Sequence, residues 1–274
     1  MTYTSIMVHL AAGQDNAALL QAAASLARHF PARLIGLVTG VNPVAVMGGQ
    51  TVDVQPSAQK KAWLEQQFAA LQAQMAAHTG LAADQMELRC NHEAVPALEW
   101  ICRESRAADL LICAAPNPRS VAALDLPPGE LAMHAGRPVL MVPPTVCEIA
   151  VNRIMICWQD KPEARRIIAN ALPILLLANT VTVVEVATEA EEKDARDRLR
   201  TVTHWLRTHD VRAEYKLDHS GAPHAPTLRK LALDVGADLV VAGLYGHSRA
   251  QEWAAGGVSR DFLLRCEQCV LLAH

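Results

Sequence analysis

The chain has 274 residues, 51% hydrophobic and 19% charged, with a formal net charge of −3, a mean hydropathy of +0.11 and a pI of about 6.4. No basic surplus is available for nucleic acid or an anionic membrane face, and an aromatic content of 4% without a basic stripe argues against nucleic-acid recognition. The longest apolar stretches, such as Ala171–Ala178, fall well short of the roughly 20 residues of a membrane span, and MTYTSIMVHLAAG at the start lacks the basic region of a signal peptide.

In chain order, Ser5–Leu10 (SIMVHL) predicts a first strand, Asn16–Phe30 a helix and Ala32–Gly40 (ARLIGLVTG) a second strand. The insertion Val41–Ser57 (VNPVAVMGGQTVDVQPS) reads as a packed surface loop, its mildly apolar VAVM leaving a lid or partner contact as the alternative. Helix-period segments follow at Ala58–His78 and Glu93–Ser105, then strands at Ala107–Ala114 (AADLLICA) and Pro138–Val142 (PVLMV). Pro143–Val151 reads as a linker, because two prolines end the preceding strand. Beyond it the strands RIMICW (Arg153–Trp158), TVTVVEVAT (Thr180–Thr188), GADLVVAG (Gly236–Gly243) and CVLLA (Cys269–Ala273) frame helices at Pro162–Leu177, Ala190–Thr208 and Pro223–Val235.

The second set repeats the first. AADLLICA returns as GADLVVAG, with Asp109 and Asp238 standing 129 residues apart. SIMVHL answers to RIMICW, ARLIGLVTG to TVTVVEVAT, and PVLMV to CVLLA. Each half therefore reads β-α-β-α-β-α-β-α-β. Continuous Val/Ile/Leu runs mark parallel strands buried on both faces, and right-handed crossovers wind each half into an α/β sheet with helices on either side. The final strands of the halves, Pro138–Val142 and Cys269–Ala273, end near matching edges, which would invite aggregation if left uncovered.

The most informative segment is GLYGHSRAQEWAAGGVS, Gly243–Ser259, which follows the run Asp238-Leu-Val-Val-Ala. It places Gly243, Gly246 and the pair Gly256–Gly257 between a strand and a helical pattern. Glycines there permit close approach of the main chain to a ligand, and a helix N-terminus favours an anion. The spacing G-x2-G-x9-G matches neither Walker A nor the Rossmann fingerprint. Joined to the repeat, it resembles the universal stress protein family, over nearly the whole chain. CWQDKPEARRIIANALPILLLANTVTVVEV and GLYGHSRAQEWAAGGVSRDFLLRCEQCVLLAH are similar to a bacterial tandem branch of that family.

The resemblance implies two tandem flavodoxin-like (Rossmann-like, adenine nucleotide alpha hydrolase-like) domains, residues 1–144 and 151–274, packed through their final strands as an intramolecular pseudo-dimer, with further homodimerisation left open. It implies a cytoplasmic regulator of the stress response, not an enzyme, that binds ATP, with or without magnesium, or a related adenine nucleotide. The family's positions fall on Gln159, Asp160, Lys161, Val186, Gly243, Gly246, His247, Arg249, Gly256, Gly257, Val258 and Ser259. Three of these depart from the pattern. Gln159 stands where an adenine-reading Asp is usual, keeping an acceptor and a donor without the charge. Lys161 replaces a small residue, and Gly257 replaces a frequent Ser or Thr. Asp160 is one step beyond Gln159, where the alternation of a strand would turn it to the other face. In the first half the corresponding loop is Ala114–Glu130, without the loop glycines and with Pro116, Pro118, Pro127 and Pro128; the strand-end acid is Ala11. That half is expected to bind no phosphate, giving at most one nucleotide per chain.

Other groups carry weaker signals. Seven cysteines, mostly in apolar runs, fit reduced thiols better than a disulfide framework. Cys266-x-x-Cys269 lacks a second ligand pair, and His204, His209, His219 and His224 lack zinc spacing; no metal site is expected. His247 and Arg249 serve equally as loop surface residues. Trp63 and Trp205, one in the second helix of each half, are read as core or interdomain packing. EAEEKDARDRLR (Glu189–Arg200) is read as a solvated helix face with i,i+4 pairs. No nucleophile–base constellation is present. Two alternatives stand beside the nucleotide-binding regulator: an interaction module of the same fold that binds no nucleotide, and a slow ATP hydrolase.

Overall fold

The computed structural model describes residues 2–39, 45–47, 50–52, 58–91, 95–116, 126–219, 224–244 and 267–274. In the first half, strand β1 (Ser5–Ala11) leads to helix α1 (Ala17–Ala27), β2 (Arg33–Thr39), a short hairpin of β3 (Ala45–Met47) and β4 (Gln50–Val52), and α2 (Ala58–Thr79). Then come β5 (Met86–Cys90), α3 (Ala97–Glu104), β6 (Leu110–Ala114), α4 (Pro128–His134) and β7 (Val139–Val142). The second half runs β8 (Arg153–Cys157), α5 (Pro162–Leu175), β9 (Thr180–Val186), α6 (Glu192–Thr208), β10 (Ala213–Asp218), α7 (His224–Asp234), β11 (Leu239–Gly243) and β12 (Cys269–Ala273).

Ten strands form one sheet in the order β10-β9-β8-β11-β12-β7-β6-β1-β2-β5. Each set of five is parallel, and the sets meet antiparallel where β12 pairs β7, Val270 opposite Met141 and Leu272 opposite Val139. The doubly wound sheets are as expected from the repeat, and the pairing of their closing strands is as the family resemblance implies. Antiparallel pairing of two such sets turns their carboxyl ends in opposite directions while keeping like helices on one face. Two apolar layers record this. One joins Leu20, Leu71, Ile167 and Leu199, from α1, α2, α5 and α6; the other joins Trp100, Leu131 and Leu228, from α3, α4 and α7. Tyr3 ties the halves further, its hydroxyl donating to the Asn170 carbonyl of α5 over 2.8 Å.

Two sequence readings change in the structure. The outer strands β5 (MELRC) and β10 (AEYKLD) are not apolar runs. They are the sheet's edges, where charge discourages further pairing; Arg33–Glu87–Arg89–Glu104 forms an ion chain along one of them. The linker is packed, with Ile149 2% exposed and its N–H donating to Ser25 Oγ of α1 over 2.9 Å. The repeated aspartates have matching structural work. Asp109 accepts from the Thr4 and Ser5 amides, and Asp238 from those of Asn152 and Arg153, so each fastens the start of the neighbouring strand. The insertion carries the β3–β4 hairpin; its other residues lie outside the described set. Among the described residues no disulfide joins the six cysteines, and no helix is long and apolar enough to cross a membrane.

Candidate functional site at the strand switch point

In the second half, the chain steps from β8 to β9 to β10 in one direction, then returns to place β11 on the other side of β8. The crevice at the carboxyl ends of β8 and β11 is thus a topological switch point, the usual ligand position in open α/β sheets. Gln159, Asp160 and Lys161 follow β8, Val186 ends β9 and Gly243 ends β11, so the structure brings these five candidates to adjacent strand ends. Gly246, His247, Arg249, Gly256, Gly257, Val258 and Ser259 lie outside the described residues, as does Cys266.

The ladder lets go after Trp158, whose N–H still donates to Val184 over 2.8 Å. Gln159 and Asp160 are both exposed. They lie past the strand, so strand alternation does not separate them as the sequence suggested. The Lys161 N–H turns back to the Gln159 carbonyl at 2.8 Å. Lys161 then stands at the N-cap of α5 with Pro162 in the first helical position, where a missing N–H costs nothing and the fixed φ suits the helix. Asp160 pairs with Arg165 at 2.6 Å; both are about half exposed, so the pair is worth little in stability. It does fix where the carboxylate points.

Gly243 has a packing reason to be glycine. A Cβ built there would meet the Ala164 nitrogen and the Glu163 carbonyl carbon at 2.9 Å each, so the end of β11 is pressed against the first turn of α5. Its φ is not in the left-handed region. Beside it, Glu163 Oε2 is buried without a hydrogen-bond partner.

At the corresponding end of the first half Gly13–Asp15 are exposed too, but the connection is tied down by a side chain of its own. Asn16 occupies the N-cap of α1 but makes no side-chain bond to that helix. Its amide turns back instead, Oδ1 accepting from the Ala11 N–H at 3.2 Å and Nδ2 donating to the Ala11 and Gln14 carbonyls at 3.1 and 3.0 Å. Next to it, His9 Nε2 lies 2.6 Å from Thr39 Oγ1, and burial lowers the imidazole pKa to about 4. The repeat places Cys157 and Val186 at these two positions in the second half.

Two features escaped the sequence reading. Glu185, on the face of β9 opposite Val186, is 5% exposed and accepts from Arg198 Nε of α6 at 3.0 Å and Nη2 at 2.5 Å. Burial pushes its carboxyl above the ordinary range, against the pull of Arg198, and Oε2 has no partner. A lone acid within TVTVVEV was the available signal. Trp63 and Trp205, expected in packing, are 40% and 36% exposed; Trp205 packs edge-on to His209, with ring centroids 4.5 Å apart. The Glu189–Arg200 segment does carry the expected pair Glu192–Arg196 at 2.7 Å, but Arg198 turns inward from it. Among the described residues no three His, Cys, Asp or Glu side chains group as a metal site.

No protein-family model matches this chain, and no curated protein matches it. Solved structures do. A universal stress protein from Archaeoglobus fulgidus DSM 4304 superposes with a TM-score of 0.71 at 12% identity, covering 97% of this chain and 95% of its own. The fold is that of the universal stress proteins. A candidate universal stress protein from Pseudomonas aeruginosa UCBPP-PA14 aligns with a TM-score of 0.60 at 16% identity over 99% and 93% of the two chains. A functionally unknown protein from Pseudomonas aeruginosa PAO1 gives 0.61 at 17% identity, over 99% and 92%. At these identities the likeness speaks for the universal stress fold and for nothing finer.

Proposed function

We propose that this chain is a tandem universal stress protein, with domains at residues 1–144 and 151–274, acting as a cytoplasmic stress-response regulator that holds one adenine nucleotide. The nucleotide, ATP or a relative with its magnesium, sits at the switch point between Gln159 and the Gly243–Ser259 loop. The observation that carries this reading is the inequality of the two strand ends. Asn16 consumes the Ala11 N–H and carbonyl in the first half, whereas Gln159 in the second is exposed and offers its amide to an adenine edge. The loop glycines and Lys161 supply main-chain donors and a cation for phosphate. The role is to hold a nucleotide rather than to turn it over.

Calorimetry of the full-length protein with ATP and Mg²⁺, and then with AMP, tests this. One site per chain, weakened by Gly246→Val, is expected; two equivalent sites, or none, would overturn it. A second reading has its own support. The unpartnered Glu163 carboxylate beside Gly243 places negative charge where phosphate would approach, which suits an interaction module that binds no nucleotide. Glu163→Gln separates the two readings: nucleotide affinity that rises in the variant favours the first, and none in either protein favours the second.

A further inference from the structure

On the opposite face of the sheet from Val186, helices α5 and α6 flank an open cleft of about 780 Å³, within the range of small-molecule sites and small for a docked protein helix. Residues 194, 197, 198, 201, 202 and 205 of α6 line it, a single i, i+3, i+4, i+7 stripe. At 1.5 Å per residue, that stripe runs about 16 Å from Asp194 to Trp205. The cleft is therefore elongated, with different chemistry at its two ends.

Its middle is apolar, formed by Ile168, Val202 and the indole of Trp158. Trp158 is 7% exposed, and its buried Nε1–H has no acceptor. The far end is the ring of Trp205. At the near end the lining charges are Asp160, Asp194 and Asp197 against Arg165 and Arg198. Both arginines are already engaged, Arg165 by Asp160 and Arg198 by buried Glu185. Asp197 has a stretched contact to Arg200 at 3.4 Å. Among the described residues, the Asp194 carboxylate has no side-chain hydrogen bond or ion pair and acts on Arg198 through charge alone. The cleft thus carries surplus negative charge at one end, an apolar floor and an exposed aromatic wall.

We propose that this cleft binds a small organic cation: an amine head held by Asp194, and a flat apolar body lying along Val202 toward Trp205. A carboxylate and an aromatic face both favour a cation over a neutral or anionic ligand of the same shape. An anion would meet the carboxylates of Asp160, Asp194 and Asp197 at that end. The proposal does not depend on nucleotide binding at the switch point: Asp160, named there, also lines this cleft, but the amine head is held by Asp194.

The test uses full-length ¹⁵N-labelled protein and two probes sharing one ring, tryptamine and indole-3-propionate. Tryptamine should shift the indole N–H resonances of Trp158 and Trp205 saturably, with an affinity that falls as salt is raised. Asp194→Asn should weaken it about tenfold or more, the range of a lost charge-assisted hydrogen bond, and Trp205→Ala by severalfold. Indole-3-propionate should bind far more weakly. Both positions are at the surface, and circular dichroism verifies that the variants fold. The proposal is overturned if tryptamine causes no saturable shift, if indole-3-propionate binds as well, or if Asp194→Asn leaves tryptamine affinity unchanged. ATP calorimetry on Asp194→Asn should match the parent protein, which keeps a failure here separate from a failure of the nucleotide reading.

Discussion

The β1–α1 and β8–α5 connections begin from matching strands and both expose the residues past the strand, but they are tied down differently. In the first, Asn16 folds its amide back onto Ala11 and Gln14, and His9 and Thr39 fill the space between strand ends with a hydrogen bond. In the second, the chain leaves the sheet after Trp158, exposes Gln159 and Asp160, and commits its charged groups to the helices, Asp160 to Arg165 and Glu185 to Arg198. The lesson is about polar satisfaction. One strand end meets its hydrogen-bonding needs locally and has little left for a ligand. The other leaves its strand-end side chains to solvent, with a half-buried ion pair behind it, the Glu185 carboxylate 7% and the Arg198 side chain 32% exposed.

The largest effect should come from breaking that pair. Arg198→Met leaves the Glu185 carboxylate buried without its partner; because the Arg198 side chain is 32% exposed, the loss should be about 3–4 kcal/mol, in the lower part of the range for a buried pair. The effect is read as a lower urea midpoint at pH 7. Because burial already pushes the Glu185 carboxyl upward and Arg198 opposes it, removing Arg198 raises it further. The variant should therefore recover stability as pH falls and Glu185 takes a proton. The double change Glu185→Leu, Arg198→Met should lie within about 1–2 kcal/mol of the parent, since an apolar pair of similar volume can replace a buried ion pair. A single variant as stable as the parent would show that the pair is solvated and the contrast between the two strand ends overstated.

The first half should instead reveal itself through pH. With His9 at about 4 in the fold against 6.5 ordinarily, the unfolded chain binds a proton between those values and the native protein does not. Stability attached to the neutral ring is complete above pH 6.5 and is lost as pH falls toward 4. The total is about 3 kcal/mol, because each pH unit separating the folded and unfolded titrations is worth about 1.4 kcal/mol. His9→Gln, which keeps a hydrogen-bonding group without the titration, should flatten this part of the profile. The difference between the parent and variant curves isolates it from carboxylates titrating nearby. Parallel curves from pH 7 to 4 would place His9 in water.

How much of this could be read in the sequence follows from whether neighbours in space were neighbours in pattern. The central strands announced themselves as apolar runs, and the family resemblance implied that β7 and β12 would meet. The edge strands β5 and β10 did not, because an edge needs charge and so loses the apolar signature. Gly243 was found by its place in the repeat, and Gln159 by the family resemblance. Glu185 and Arg198 are 13 residues apart on a strand and a helix, and their contact depends on how α6 lies across β9. Asn16 looked like an ordinary helix cap, and only the fold shows its side chain turned the other way.

Gly243 sharpens the comparison, because its glycine has a reason independent of any ligand. Gly243→Ala would put a methyl group 2.9 Å from the backbone of α5's first turn. Main chain there cannot move aside as a side-chain tip can, so the change should cost about 1–3 kcal/mol by overpacking, measured without nucleotide. Gly246→Val should weaken nucleotide binding with a smaller loss of stability. If Gly243→Ala instead leaves the apoprotein's stability unchanged, close packing of β11 on α5 is not what requires glycine at that position.

The smallest expected effect is also the most direct probe of the first half's strand end. Asn16→Ala removes an acceptor from the Ala11 N–H and donors from the Ala11 and Gln14 carbonyls. The helix loses little, since Asn16 does not cap it and the Ala17 N–H is served by Asp15 at 2.9 Å. The carbonyls stand near the surface, where water can take over, so the net loss should be about 1 kcal/mol, that of one ordinary hydrogen bond. Hydrogen exchange should show faster exchange at Ala11 while the amides of β6 and β7 keep their protection. Opening the loop in this way should still not give the first half a nucleotide, because Pro116, Pro118, Pro127 and Pro128 remain in its other loop, and proline offers no N–H to a phosphate. Calorimetry on Asn16→Ala should therefore give the same single site per chain. A second site appearing in this variant would mean that Asn16 alone had kept the two strand ends apart in function.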